Sequence, residues 1–215
     1  MISTFGQSEE LNSDYSADQS EARDRVVLEI TNDGWLDIPD DIDYRRLSLG
    51  INAYVIHDIF RQIDKPFSIG LGYGISSHNV HTDGVFTVVD SLESSYAFYN
   101  KIEDDANLKK NKYTINYLEF PVELRMIQDN GAGFKVHLGG KFAYKLGDYS
   151  KRVDGFGKRK SYKTAGIHDF RYSLHARIGY GRLTAVGSYS LNPLFKKNRG
   201  PQLTQYSVGI AFIIL

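Results

Sequence analysis

Six histidines are the first side chains to weigh for chemistry in a chain of 215 residues. His137 and His175 fall in neighbouring apolar-polar alternating segments, with Glu123 and Ser173 close in the same pattern. A serine, a histidine and a carboxylate can together activate a hydroxyl for attack on an ester, so His175 and Ser173 are the pair on which a hydrolase would rest. His78 and His81 are spaced as helix ligands in a segment that reads as strand, so a shared metal is not expected. Asp37, Asp40, Asp41 and Asp43 in DIPDDIDY lack the glycine and the distal glutamate of a calcium loop and read as an acidic rim. The chain has no cysteine, which excludes disulfides, thiol catalysis and a cysteine-zinc site. Its formal net charge is zero, so bulk charge argues for neither nucleic acid nor an acidic partner, and no nucleic-acid partner is expected. No cofactor and no metal are expected.

The elements that must position these residues are strands. In FKVHLGGKFAYKL, residues 134–146, one alternate set is Phe134, Val136, Leu138, Gly140, Phe142, Tyr144 and Leu146. The other is Lys135, His137, Gly139, Lys141, Ala143 and Lys145. Side chains alternate across a strand, so this strand has an apolar face and a cationic face. Eight such segments are read at roughly 25–35, 45–57, 66–80, 112–127, 133–146, 169–180, 182–192 and 203–215. Short connections join the second to the third, the fourth to the fifth, and the sixth to the seventh, the last through a turn at Tyr180–Gly181. The others are long, and the stretch SLESSYAFYNKI is read as holding one helical turn. Residues 1–24 read as a flexible lead-in. Residues 1–6 are the candidate end of a signal peptide, the alternative being an ordinary unstructured terminus.

Which face meets water follows from the aromatics. Phe134 to Tyr144 is about 33 Å along a strand, and a tilt of about 40° reduces this to about 25 Å, the height of the apolar band of a membrane barrel. Rings stand at the ends and aliphatics between. The girdle read this way is Phe67, Tyr73, Phe134, Phe142, Tyr144, Phe170, Tyr172, Tyr180, Tyr206 and Phe212. A soluble core has no reason to sort rings from aliphatics by depth. The opposite faces carry Glu119, Glu123, Arg125, Lys135, His137, Lys141, Arg171, His175 and Arg177. Gly70, Gly72 and Gly74 would weaken a solvent-facing strand, but inside a narrow barrel they make room for large side chains. Eight strands leave an interior that side chains fill, so these charges must pair as a lumen network. The proposed hairpin register sets Arg125 opposite Lys135, Glu123 opposite His137 and Glu119 opposite Lys141.

The segments LEITNDGWLDIPDDI, SLGINAYVIHDI, FSIGLGYGISSHNVHTDG and INYLEFPVELRM resemble the PorT-like outer-membrane β-barrel family of Bacteroidota. Tyr117, Leu118, Glu119, Phe120 and Pro121 match a strand that recurs in that family, and the closing LNPLFKKNRGPQLTQYSVGIAFIIL resembles its last hairpin. The resemblance covers roughly residues 25–215 and implies an eight-stranded outer-membrane barrel. The founding member takes part in secretion and gliding machinery. Leu215 stands where many such barrels end in an aromatic.

The expectation is therefore an all-β protein, an eight-stranded antiparallel up-and-down transmembrane β-barrel over residues 25–215, in the bacterial outer membrane with both termini periplasmic. Its lumen is plugged. It is expected to be no enzyme but a structural or accessory subunit working through its loops. The alternatives are a lipid-modifying enzyme and a soluble lipocalin-like barrel. The loop cations Lys151, Arg152, Lys158, Arg159, Lys160, Lys196, Lys197 and Arg199 are expected to meet a protein partner or outer-membrane lipid, including lipopolysaccharide.

Overall fold

The computed structural model describes residues 25–40, 42–43, 47–61, 67–90, 95–102, 108–127 and 133–214. The expected lead-in at 1–24 and the final Leu215 lie outside the described residues. The strands are β1 (Arg25–Leu36), β2 (Leu49–Arg61), β3 (Phe67–His81), β4 (Gly84–Asp90), β5 (Ser95–Lys101), β6 (Lys110–Ile127), β7 (Phe134–Asp154), β8 (Gly157–Tyr162), β9 (Phe170–Tyr180), β10 (Leu183–Ser190) and β11 (Thr204–Ile214). Eight of them run β6-β3-β2-β1-β11-β10-β9-β7, and pairing of β6 with β7 closes the ring. Every pairing is antiparallel, and β1 is matched to β11, so first strand meets last. Closure removes the sheet edges that an open sheet of this size would expose.

The alternation sorts the two faces inside out relative to a soluble barrel. Outward positions on β7 and β9, such as Leu138, Leu174 and Ile178, are exposed aliphatics, while Lys141, His175 and Arg177 on the same strands are buried. The ten girdle residues all stand on the outer face. Tyr206 is only half-buried because its ring lies over Gly34, directly opposite on β1. A Cβ at Gly70 would come within 2.8 Å of Arg125 Nε, and one at Gly74 within 2.5 Å of Tyr54 Cδ1, so those glycines leave the space that two large lumen side chains fill. Pro121 lacks the N–H that a ladder needs, and the β3–β6 pairing skips from Leu71–Val122 to Gly74–Glu119 around it, resuming in the same register.

Three expectations are corrected. SLESSYAFYNKI holds no helical turn among its described residues: Ser95–Lys101 is β5, which pairs with β4 as a separate two-stranded sheet. The β9–β10 turn consists of Gly181 and Arg182, since Tyr180 is already paired with Leu183. Gly181 takes the positive φ of 60° that a two-residue hairpin requires at its first position, and the tyrosine does not. The β6–β7 register is displaced by two from the expected one, with Arg125 opposite His137, Glu123 opposite Gly139 and Glu119 opposite Ala143.

Two apolar clusters bracket the charged middle of the lumen. At the end with the short turns, Val27, Ile56, Val186, Ala211 and Ile213 pack inward. At the other end Trp35, Tyr99, Tyr113, Phe195, Leu194, Leu203 and Ile167 form a core that the loops cover. Phe86 stacks on Tyr99 at 4.5 Å and lies edge-on to Tyr113 at 5.0 Å, so the β4–β5 sheet folds over the mouth. Backbone bonds from Ala97 to Arg199 and from His168 to Leu194 tie the loops to one another.

The membrane-facing assignment of the outer wall is tested at Leu138, which is 54% exposed and lies about midway between Phe134 and Tyr144 on β7. Leu138→Arg is expected to lower stability by about 2–4 kcal/mol in denaturant titrations in lipid vesicles. A neutral substitution would mean that this wall does not lie at the middle of a bilayer.

Candidate functional site

The charged residues meet because inward positions on β1, β2, β3, β6, β7 and β9 converge at mid-lumen. Glu119 and Glu123 are fully buried on β6. Isolated carboxylates in such a place would cost several kcal/mol each, so their partners decide whether the barrel stands. Arg177 is the central cation. Its Nε donates to Glu29 Oε1 at 2.8 Å and its Nη1 to Glu123 Oε1, joining two carboxylates from opposite sides of the lumen. Arg125 Nε donates to Glu123 Oε2 at 2.9 Å and its Nη1 to Asp58 at 2.6 Å. Arg171 donates to Glu119 and lies over the Tyr117 ring, 4.2 Å from its centroid. Lys141 Nζ donates to Tyr54 Oη at 3.0 Å, sits 3.5 Å from Glu29 and 3.8 Å from Glu119, and covers the Tyr54 ring.

Neutral donors complete the carboxylates. Tyr54 Oη and Ser76 Oγ donate to Glu119 at 2.6 and 2.7 Å, and Asn52 donates to Glu29 at 3.0 Å. His175 Nε2 lies at hydrogen-bond distance, 2.9 Å, from Glu123 Oε1. His137 Nδ1 is 3.6 Å from Glu123, an ion-pair distance and too long for a hydrogen bond. Lys135 stands apart at the turn end, where it donates to the Gly181 carbonyl at 2.7 Å.

All nine lumen residues read from the sequence thus point inward and are buried, and eight of them belong to one connected network. Sequence reasoning missed four further charges of the network, Glu29, Asp33, Asp58 and Arg25, the last 3.4 Å from Asp58. Inward alternation on β1, through Arg25, Val27, Glu29, Thr31 and Asp33, carries the signal that would have found three of them. His78 also turns inward, 3.4 Å from Asp33 and 3.6 Å from Glu119, while His81 falls on the outer face.

The hydrolase geometry does not form. Ser173 and His175 are two residues apart on β9 and face the same way, which separates them by about 6.6 Å along the strand. Ser173 Oγ has no hydrogen-bond partner among the described residues, so no base activates it.

The loop cations divide by register. A bulge opposite Asn116 and Tyr117 shifts the phase of β7, so beyond it Asp148, Arg152 and Asp154 face inward while Tyr149 and Lys151 face outward. Arg152 is paired with Arg159 on β8, and both guanidinium groups lie 2.7 Å from Asp154. Lys196 pairs with Asp169 at 2.9 Å, and the Arg199 backbone joins loop to loop. Lys151, Lys158 and Lys160 stand on the other face of the β7–β8 sheet, and Lys197 is exposed. The eight residues expected to act together therefore do not form one surface.

The model of the family described as outer membrane protein beta-barrel domain matches residues 28–196. No match was found among curated proteins. Among solved structures, the attachment invasion locus protein Ail of Yersinia pestis is 9% identical, with a TM-score of 0.40, covering 89% of this chain and 97% of that one. Ail in complex with the heparin analogue sucrose octasulfate gives 10% identity and a TM-score of 0.38 over 89% and 97%. A mutant of the Rh. blastica porin gives 11% identity and a TM-score of 0.22 over 89% and 99%. Overlays at this level bear on no residue of this chain.

Removing lumen cations should rank by the number of carboxylates that lose their closest cation. Arg177→Leu, which takes the closest cation from both Glu29 and Glu123, is expected to cost about 3–5 kcal/mol in denaturant titrations. Adding Glu29→Gln should recover part of that loss. Lys141→Leu should cost less, because Arg177 and Arg171 remain on its carboxylates. Lys135→Gln should cost about 1 kcal/mol or less, since only a bond to a carbonyl is lost. Equal costs at the three positions would show that the charges are hydrated rather than packed.

Proposed function

We propose that this chain, which belongs to the outer membrane protein β-barrel domain family, is a structural or accessory subunit of a surface or secretion complex. It is anchored by its barrel and engages partners through its loop end. The observation that carries this reading is that the barrel is filled twice over. The ionic network occupies mid-lumen and the aromatic core around Trp35 and Phe195 fills the loop end. Interior space for conduction or for a ligand is thereby taken up, and the outer surfaces remain for function. An interior of charges behind an apolar wall is the reverse of a lipocalin, which disfavours the soluble binding barrel. The Ser173 hydroxyl, which has no hydrogen-bond partner among the described residues, disfavours the lipid-modifying enzyme.

The orientation belongs to the same proposal. Transmembrane barrels place short turns in the periplasm and long loops outside, which here puts both barrel termini in the periplasm. The PorT-like affiliation is a further part of it, supported by the Tyr117–Pro121 strand and the closing hairpin. For the partner surface, the outward face of the β4–β5 sheet offers Val89, Tyr96 and Phe98, with the two rings 4.6 Å apart. Exposed apolar groups grouped on a loop outside the bilayer suit a protein partner.

Orientation is tested with a single thiol, since the native chain has no cysteine. Lys197→Cys should react with a membrane-impermeant maleimide on intact cells; protection until the outer membrane is permeabilised would reverse the assignment. The partner role predicts a discrete adduct from a photocrosslinker at Phe98, lost on Val89→Ser with the barrel still folded. A chain that yields no adduct, and whose deletion leaves every surface complex intact, would count against the reading. In planar bilayers the purified barrel should give no conductance steps.

A further inference from the structure

Outside the membrane-spanning part, β6, β7 and β8 continue side by side, with the end of β3 still paired to β6 and His81 opposite Lys112, and the outer face is a grid. Lys112, Lys151 and Lys160 are directly opposite one another across the three strands. One row farther from the barrel stand Lys110, Val153 and Lys158, and one row nearer stand Thr114, Tyr149 and Tyr162. Like charges directly opposite across strands destabilise a sheet. The inner face of the same sheet handles this problem internally, because Arg152 and Arg159 are opposite each other and share Asp154. On the outer face no described carboxylate is paired with any of the five lysines; Lys112 donates to Asn79 Oδ1. The lysines crowd one another enough to hold the Lys151 ammonium below its ordinary pKa, Lys158 contributing most.

The face points sideways, not upward. It continues the wall that carries Leu118 and Tyr144, so what it meets lies beside the barrel in the plane of the membrane. Lys112 is six residues beyond Leu118, about 20 Å along a strand and about 15 Å along the membrane normal. That height is above the hydrocarbon, in the sugar region of an outer-leaflet glycolipid. Tyr149 and Tyr162, with rings 6.0 Å apart, stand between the lysines and the apolar belt, as amphipathic rings do at a membrane interface.

We propose that the lysine face of β6, β7 and β8 binds the phosphorylated saccharide headgroup of an outer-leaflet glycolipid. The three-lysine row spans about 10 Å, wide enough to take more than one anionic group of a headgroup. This rests on the orientation proposed above, since only the outer leaflet then faces the grid.

The test uses the full chain refolded in phosphatidylcholine vesicles with or without lipopolysaccharide truncated to its inner core. Native mass spectrometry reads the glycolipid retained by the purified barrel, and the heat-dependent shift of a folded barrel on gels reports the fold. The unmodified chain should retain the glycolipid. The triple variant Lys112→Gln, Lys151→Gln, Lys160→Gln should retain roughly ten-fold less or lower while still folded. Dephosphorylated lipopolysaccharide should be retained as poorly by the unmodified chain as the phosphorylated form is by the variant. If the triple variant misfolds, charge-preserving Lys→Arg changes at the same positions should restore both fold and retention. Equal retention by the glutamine variant, or indifference to phosphate, would overturn the proposal. Lysine-dependent capture of a soluble sulfated polysaccharide, as tight as that of the glycolipid, would also overturn it by assigning the face to a free polyanion. A Lys197→Cys label that reports the loops on the periplasmic side would fail the orientation. Outward loops with unchanged retention would fail this inference alone.

Discussion

The rest of the structure depends on one constraint: Glu29, Glu119 and Glu123 are dry, and each must share a cation. A carboxylate inside a ring of strands, itself inside hydrocarbon, has no solvent to fall back on. Three guanidinium groups and one ammonium meet that demand, and each does so by reaching across the lumen or along its own strand. The glycines at Gly70 and Gly74 follow from it, because Arg125 and Tyr54 need their volume. So does the closed ring, which holds partners from β1, β6 and β9 at fixed separations. The outer wall needs only to be apolar, and it varies freely among leucine, isoleucine and aromatic residues.

The aromatic core at the loop end answers a different demand. Loops of this length would otherwise carry unpaired backbone groups over a wet rim. Here the β4–β5 sheet satisfies its own backbone, and Phe86, Tyr99 and Phe195 bury its inner face against Trp35 and Tyr113. The molecule thus has a soluble-protein core stacked on a membrane-protein wall. Its outward residues are consequently presented on a stiff support, as recognition surfaces generally are.

Much of this was legible in the sequence because a period of two survives any register. The number of strands in the ring, the inward and outward faces, the outward place of the ten aromatics and the inward place of the nine lumen residues all follow from alternation. What alternation cannot give is which inward residue meets which. That depends on strand tilt and stagger, so Glu119 was matched to Lys141 whereas Arg171 is its closest cation. Lys151 and Arg152 were grouped because the strand was read as ending near Leu146, whereas β7 runs on to Asp154 and turns these two neighbours to opposite faces. The β4–β5 sheet was missed because VFTVVD and SYAFYNK are short and one-sided, and short apolar runs leave helix and strand unresolved. Glu29 was accessible to the same rule that found Glu123.

The pairing of β1 with β11 has a consequence for how the molecule comes into being. Glu29 and Arg177 are 148 positions apart, so the bridge between them forms late, when the two ends of the chain have met. Before that the lumen is an open trough whose charges remain hydrated. Closing the seam and expelling water are therefore a single event, and a barrel that closes out of register strands its charges and reopens. The ionic network acts as a check on assembly. Once passed, the same coupling slows departure, because no strand can leave the ring without rehydrating charges held by strands on the far side.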